Sequence, residues 1–103
     1  MKIELLFFDG CPSWKNGSKN LQSALEEEGL TAAIDVIEVK DNEQANQLKF
    51  LGSPSFRVDS QELWPEERET YALSCRVFPS SEGIKGFPTV AMLRGQLKQL
   101  RET

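Results

Sequence analysis

The sequence predicts an α/β fold in the order β-α-β-α-β-β-α, with a four-stranded mixed sheet and three helices. Three observations carry that reading. The first is a nearly continuous apolar run at the start, KIELLFF, of the kind that fills a central strand covered on both faces. The second is a set of apolar residues at helical spacing, bounded by proline or an N-cap residue ahead and glycine behind. The third is the β-branched stretch AAIDVIEV, which reads as a strand following the first helix. Strand, helix, strand at the outset implies a parallel pair with a right-handed crossover.

Taken in order, residues 2–8 form the first strand, and Asp9-Gly10 breaks it. Pro12 suits the first position of a helix, where its missing N–H costs nothing. Trp14, Leu21, Ala24 and Leu25 then recur along one face, and Gly29 ends the segment as a left-handed cap. Residues 32–39 are the second strand. Asp41 is an N-cap with Gln44 three residues on, and Ala45, Leu48 and Leu51 make a short stripe that stops at Gly52. After Ser53-Pro54 come two strands, residues 55–58 and 71–78, read as an antiparallel hairpin. Residues 59–70, with Asp59-Ser60, Trp64-Pro65 and an acidic run, are the connection. Pro88 opens a last helix with Val90, Leu93, Leu97 and Leu100 on one face.

At 103 residues the chain is expected to be one domain, 1–103. Its net charge is -4, with acidic clusters at Glu26, Glu27, Glu28 and at Glu66, Glu67, Glu69. Such a surface repels phosphate backbones and anionic lipid, which argues against nucleic acid and membranes as partners. No apolar run is long enough to cross a bilayer, and the N-terminus lacks the pattern of a signal peptide. The cytoplasm is the expected compartment. There the two cysteines, Cys11 and Cys75, are not expected to form a structural disulfide. Histidine is absent, which removes the usual general base and the commonest metal ligand. That argues against common hydrolytic catalysis and against a four-ligand zinc site. No cofactor is called for.

The chemistry concentrates in FFDGCPSW, where Cys11 follows the first strand and precedes the first helix. A sulfur at a helix N-terminus meets unpaired amides and the positive end of the dipole, which favours the reactive thiolate. Asp9 opposes this, and Arg57 and Arg76 would counter Asp9 if the hairpin brought Arg76 opposite Ser55, beside Pro54. The bland alternative makes Cys11 a small buried residue in a turn. Cys75 alternates with Leu73 and Val77, as a core-facing strand residue does. In a competing role it is a remote resolving thiol or a soft-metal ligand. A strand two places from the first lies about 9 to 10 Å away. A disulfide needs Cα atoms within about 7 Å, so the core role is preferred.

The segments FDGCPSW, FLGSPSFRVD, the 71–76 stretch ending in CR, and GFP together resemble a family of small bacterial thioredoxin-like proteins. Its members are labelled thioredoxin-like (seleno)proteins or, loosely, alkylmercury-lyase-like. The resemblance runs over most of the chain and implies the thioredoxin-like fold. It also implies that Cys11 matches the first, nucleophilic cysteine of a C-x-x-C motif, and that Pro54 follows a cis peptide bond facing it. The departure is Trp14, which stands where the second cysteine would be.

Three functions follow as expectations. One is single-cysteine thiol–disulfide exchange, with Cys11 attacking a disulfide or peroxide, Pro54 shaping the groove and Arg76 steadying the thiolate. The partner would be a thiol- or disulfide-bearing protein or a small thiol such as glutathione. Another is capture of a soft ion, Hg(II) or Cu(I), by Cys11 alone or together with Cys75. The last is an inert thioredoxin-fold interaction module. The sequence leaves the oligomeric state open.

Overall fold

The computed structural model describes residues 1–101. It is an α/β structure with three helices and a four-stranded mixed sheet. The strands are β1 (Ile3–Phe7), β2 (Ile34–Glu38), β3 (Ser55–Val58), β4 (Gln61–Glu62), β5 (Phe78–Ser80) and β6 (Gly83–Lys85). The helices are α1 (Trp14–Glu27), α2 (Asn42–Leu48) and α3 (Val90–Arg101). The main sheet runs β2-β1-β3-β4, and β5 and β6 form a separate two-stranded hairpin. β1 pairs parallel with β2 and antiparallel with β3, which pairs antiparallel with β4.

β1 is covered on both faces, as its apolar run predicts. Ile3 and Leu5 join Leu21, Ala24, Leu25, Phe56, Val58, Leu93 and Leu97, so α1 and α3 share one face. Leu6 turns the other way, to Val39, Ala45 and Phe50 around α2. Because successive side chains on a strand point to opposite sides, one apolar run supplies both cores. α1 starts at Trp14 with Ser13 as its N-cap, and Gly29 takes φ +67° beyond its end. At α2 the Asp41 side chain accepts from the Gln44 amide at 2.8 Å, as the N-cap reading predicts. That helix ends earlier than expected, at Leu48, with Lys49 in the left-handed region (φ 55°). α3 begins at Val90, two residues after Pro88, and the Thr89 Oγ1 caps it by accepting from the Met92 amide at 3.1 Å.

The fourth strand of the sheet is not the expected one. Residues 71–77 lie in no strand, Phe78 begins β5 of the separate hairpin, and the fourth place in the sheet is taken by β4, inside the stretch read as a connection. The reason is local. Asp59 and Ser60 both take positive φ, 50° and 70°, and make a two-residue turn between Val58 and Gln61. Such a turn matches strand twist and closes the hairpin at once. The chain after Pro65 therefore returns without an antiparallel partner. No helix among the described residues is long and apolar enough to cross a membrane.

Candidate functional site

β1 delivers the chain to a tight turn in which the Cys11 amide donates to the Phe8 carbonyl at 3.0 Å. Pro12 and Ser13 lead from there into α1, with the Lys15 amide bonded to the Pro12 carbonyl at 3.3 Å. Cys11 thus lies three residues ahead of Trp14, the first residue of α1. It is buried, with 3 % of its surface exposed. Trp14 turns back onto β1 and stacks on Phe7, ring centroids 4.1 Å apart.

The other half of the site is built ahead of β3. The Ser53–Pro54 bond is cis, as the resemblance implies. Ser53 forms an isolated parallel bridge with Cys75: its amide donates to the Ser74 carbonyl at 2.8 Å, and its carbonyl accepts from the Arg76 amide at 3.0 Å. Gly52 makes that approach possible. It sits at φ +116°, and a Cβ there would lie 3.1 Å from the Arg76 Cβ and 3.4 Å from its amide nitrogen.

Cys11 and Cys75 are joined in a disulfide, with Cα atoms 5.8 Å apart. This corrects the expectation that the two cysteines stay unpaired and that Cys75 faces the core: Cys75 is exposed. The physical reason lies in both segments. Residues 74–76 run past Ser53 in a parallel bridge and are not a strand of the sheet. Cys11 lies four residues past the end of β1, in a turn that folds back onto Phe8. The strand spacing within the sheet therefore does not separate them, and their Cα atoms come within disulfide reach. The same parallel course moves Arg76 from its expected place opposite Ser55 to a backbone bond with Ser53.

Arg76 is buried, and its guanidinium is held away from the turn. Nη2 donates to the Trp64 carbonyl, the group lies 5.4 Å from the Phe78 ring, and Nη1 faces Glu62 Oε1 at 3.8 Å. Glu62 is bound more closely by Arg57, at 2.6 Å, and Arg57 also donates to the Leu48 carbonyl. Burial raises the Glu62 pKa above 4.5, against the opposing hydrogen bond and charge of Arg57 and the charge of Arg76. Burial likewise lowers the Arg76 pKa below its ordinary value. The two arginines named from sequence therefore serve one half-buried carboxylate on β4. The Ser53 hydroxyl, 1 % exposed at residue level, has no hydrogen-bond partner among the described residues.

The structure thus brings together Cys11, Cys75 and the Ser53-Pro54 turn, and engages the Arg76 side chain elsewhere. Sequence reasoning treated Ser53 only as part of a dipeptide. Its role in seating Cys75 depends on a bridge between residues far apart in the chain, which leaves no local signal. Among the described residues no group of three or more histidine, cysteine or acidic side chains could hold a metal ion. What the pair can do is open and close: two electrons break the sulfur–sulfur bond and leave two thiols. Comparison of the chain with protein-family models, with curated proteins and with solved structures finds no match.

Proposed function

We propose that this protein is a thioredoxin-like thiol–disulfide exchange protein that works through Cys11 and Cys75. The supporting observation is the Cys11–Cys75 disulfide, spanning 64 positions between the β1–α1 turn and the residue bridged to Ser53. The β2-β1-β3-β4 order, a cysteine in the turn between β1 and α1 and a proline directly before β3 support the thioredoxin-like reading. Cys75 supplies the second thiol that Trp14 removes from the C-x-x-C position. In the reduced protein one thiolate attacks a substrate disulfide and forms a mixed disulfide. The second thiol then displaces the substrate as a thiol, and the Cys11–Cys75 bond closes. The substrate gains two electrons and the pair loses two. A protein thiol or a small thiol such as glutathione restores the reduced pair. The compartment we propose is the cytoplasm, where such a pair cycles instead of staying oxidised. Soft-ion capture by the same two sulfurs requires that the bond be opened first, so exchange precedes it.

The test is a redox titration of the folded protein in glutathione buffers of varied ratio, with thiols counted by mass. The pair should open and close reversibly, and the reduced protein should reduce a disulfide substrate such as insulin faster than glutathione does. A bond that opens only in denaturant, or only below about −300 mV, is a structural staple and ends the proposal.

A further inference from the structure

The two sulfurs of the pair differ in access and in leaving ability. Cys11 is 3 % exposed, folded under the β1–α1 turn. Cys75 is exposed, and so is Val77 two residues on, while Arg76 between them is buried. A thiolate displaces sulfur from sulfur in line, approaching the attacked atom from the side opposite its partner. Attack on Cys75 is made at the exposed residue of the pair. Attack on Cys11 must reach a buried residue. The leaving groups differ in the same sense. The sulfur expelled fastest is the one whose thiolate is better stabilised. Cys11 lies just ahead of α1, a fourteen-residue helix whose N-terminal end favours negative charge.

Resting on the exchange reading above, we propose that Cys75, not Cys11, is the sulfur at which a partner thiol enters, and that Cys11 is the buried leaving and resolving thiol. In the reducing direction a partner thiolate bonds to Cys75 Sγ, the Cys11–Cys75 bond breaks, and its electron pair stays on Cys11 as thiolate. A second partner thiolate attacks the partner sulfur of the mixed disulfide. It forms the partner disulfide and frees Cys75 as a thiolate, which takes a proton. In the opposite direction the Cys75 thiolate attacks a substrate disulfide and expels one substrate thiolate. Cys11 then attacks Cys75 Sγ and expels the other. The cysteine of the FDGCPSW motif thus resolves, and the attacking cysteine comes from the segment that Ser53 seats.

The experiment mixes the oxidised wild-type protein with glutathione under folding conditions. The reaction is stopped with acid, free thiols are alkylated, and the adducts are mapped by peptide mass, with total thiols counted in parallel. Glutathione should be found on Cys75 and the alkyl group on Cys11, in excess over the reverse pattern by about tenfold or more. In the single variants, Cys75 in Cys11→Ser should take up glutathione from its disulfide about tenfold faster than Cys11 in Cys75→Ser. Adducts mainly on Cys11, or shared equally, while the thiol count rises, overturn the role assignment and leave the exchange reading standing. A thiol count that does not rise overturns both. The wild-type mapping decides the matter even if a variant fails to fold.

Discussion

Trp14 occupies the position where a vicinal dithiol would place its second sulfur, and its ring is spent on Phe7. The stack fastens the start of α1 to the end of β1, the two elements between which Cys11 hangs. A double-mutant cycle with Phe7→Leu and Trp14→Leu should return a coupling of about 1 kcal/mol, read from denaturant unfolding. A coupling near zero would mean that the two rings merely share a surface. Glu62 makes a second prediction. A carboxyl whose folded pKa lies above its unfolded value stabilises the fold most when protonated. Its contribution is complete below the free value of 4.5 and is lost as pH rises through the raised folded value. Wild type should therefore lose stability relative to Glu62→Gln as pH rises above about 4.5. Parallel curves would show that Arg57 and Arg76 offset the burial completely. At this scale the place of Cys11 was legible, because a cysteine after an apolar run is a local pattern, while the cis bond at Pro54 came from the family resemblance and not from the dipeptide. The partner of Cys11 was not legible, since alternation with Leu73 and Val77 says only that residues share a side, not which side is wet.

At the level of elements, α1 and α3 each carry an interior glycine, and their surroundings differ. Gly17 faces the core, and a Cβ there would lie 3.1 Å from Phe56 Cζ and 3.2 Å from Pro54 Cγ. Both neighbours are fully buried and have nowhere to go. Gly17→Ala should lower stability by about 1 kcal/mol or more, because crowding outweighs the gain in helix propensity. Gly95 in α3 is exposed with nothing within 4 Å of its Cβ position. Gly95→Ala should raise stability by about 0.5 to 1 kcal/mol. Thermal melts of the two variants should move in opposite directions, and a stabilised Gly17→Ala would show that the α1–β3 contact has slack. The β1, α1, β2 and α2 elements were readable because each carries its own period and stop signals. Residues 71–78 misled because alternating apolar residues describe extended chain equally well inside a ladder and outside one.

For the molecule as a whole, the disulfide closes a loop across 64 positions and ties the β1–α1 turn to the returning chain. Chain-entropy estimates for a loop of that size come to about 4 kcal/mol, the upper end of what such bonds contribute. Reduction should lower unfolding stability by roughly 2 to 4 kcal/mol, checked by urea denaturation with and without dithiothreitol. A loss under about 0.5 kcal/mol would mean that the backbone bonds of Ser53 hold Cys75 in place unaided. By itself the amino-acid order determined the α/β class, both faces of the central strand, the three helices and the sulfur at the strand-to-helix turn. Those features rest on periodicity and on turn chemistry among near neighbours. Tertiary structure alone decided that residues 74–76 run parallel past Ser53, that Cys75 meets Cys11, and that Arg76 faces a half-buried glutamate. Each depends on where a distant segment lies once the Asp59-Ser60 turn has closed β3 onto β4, and no local pattern encodes that direction.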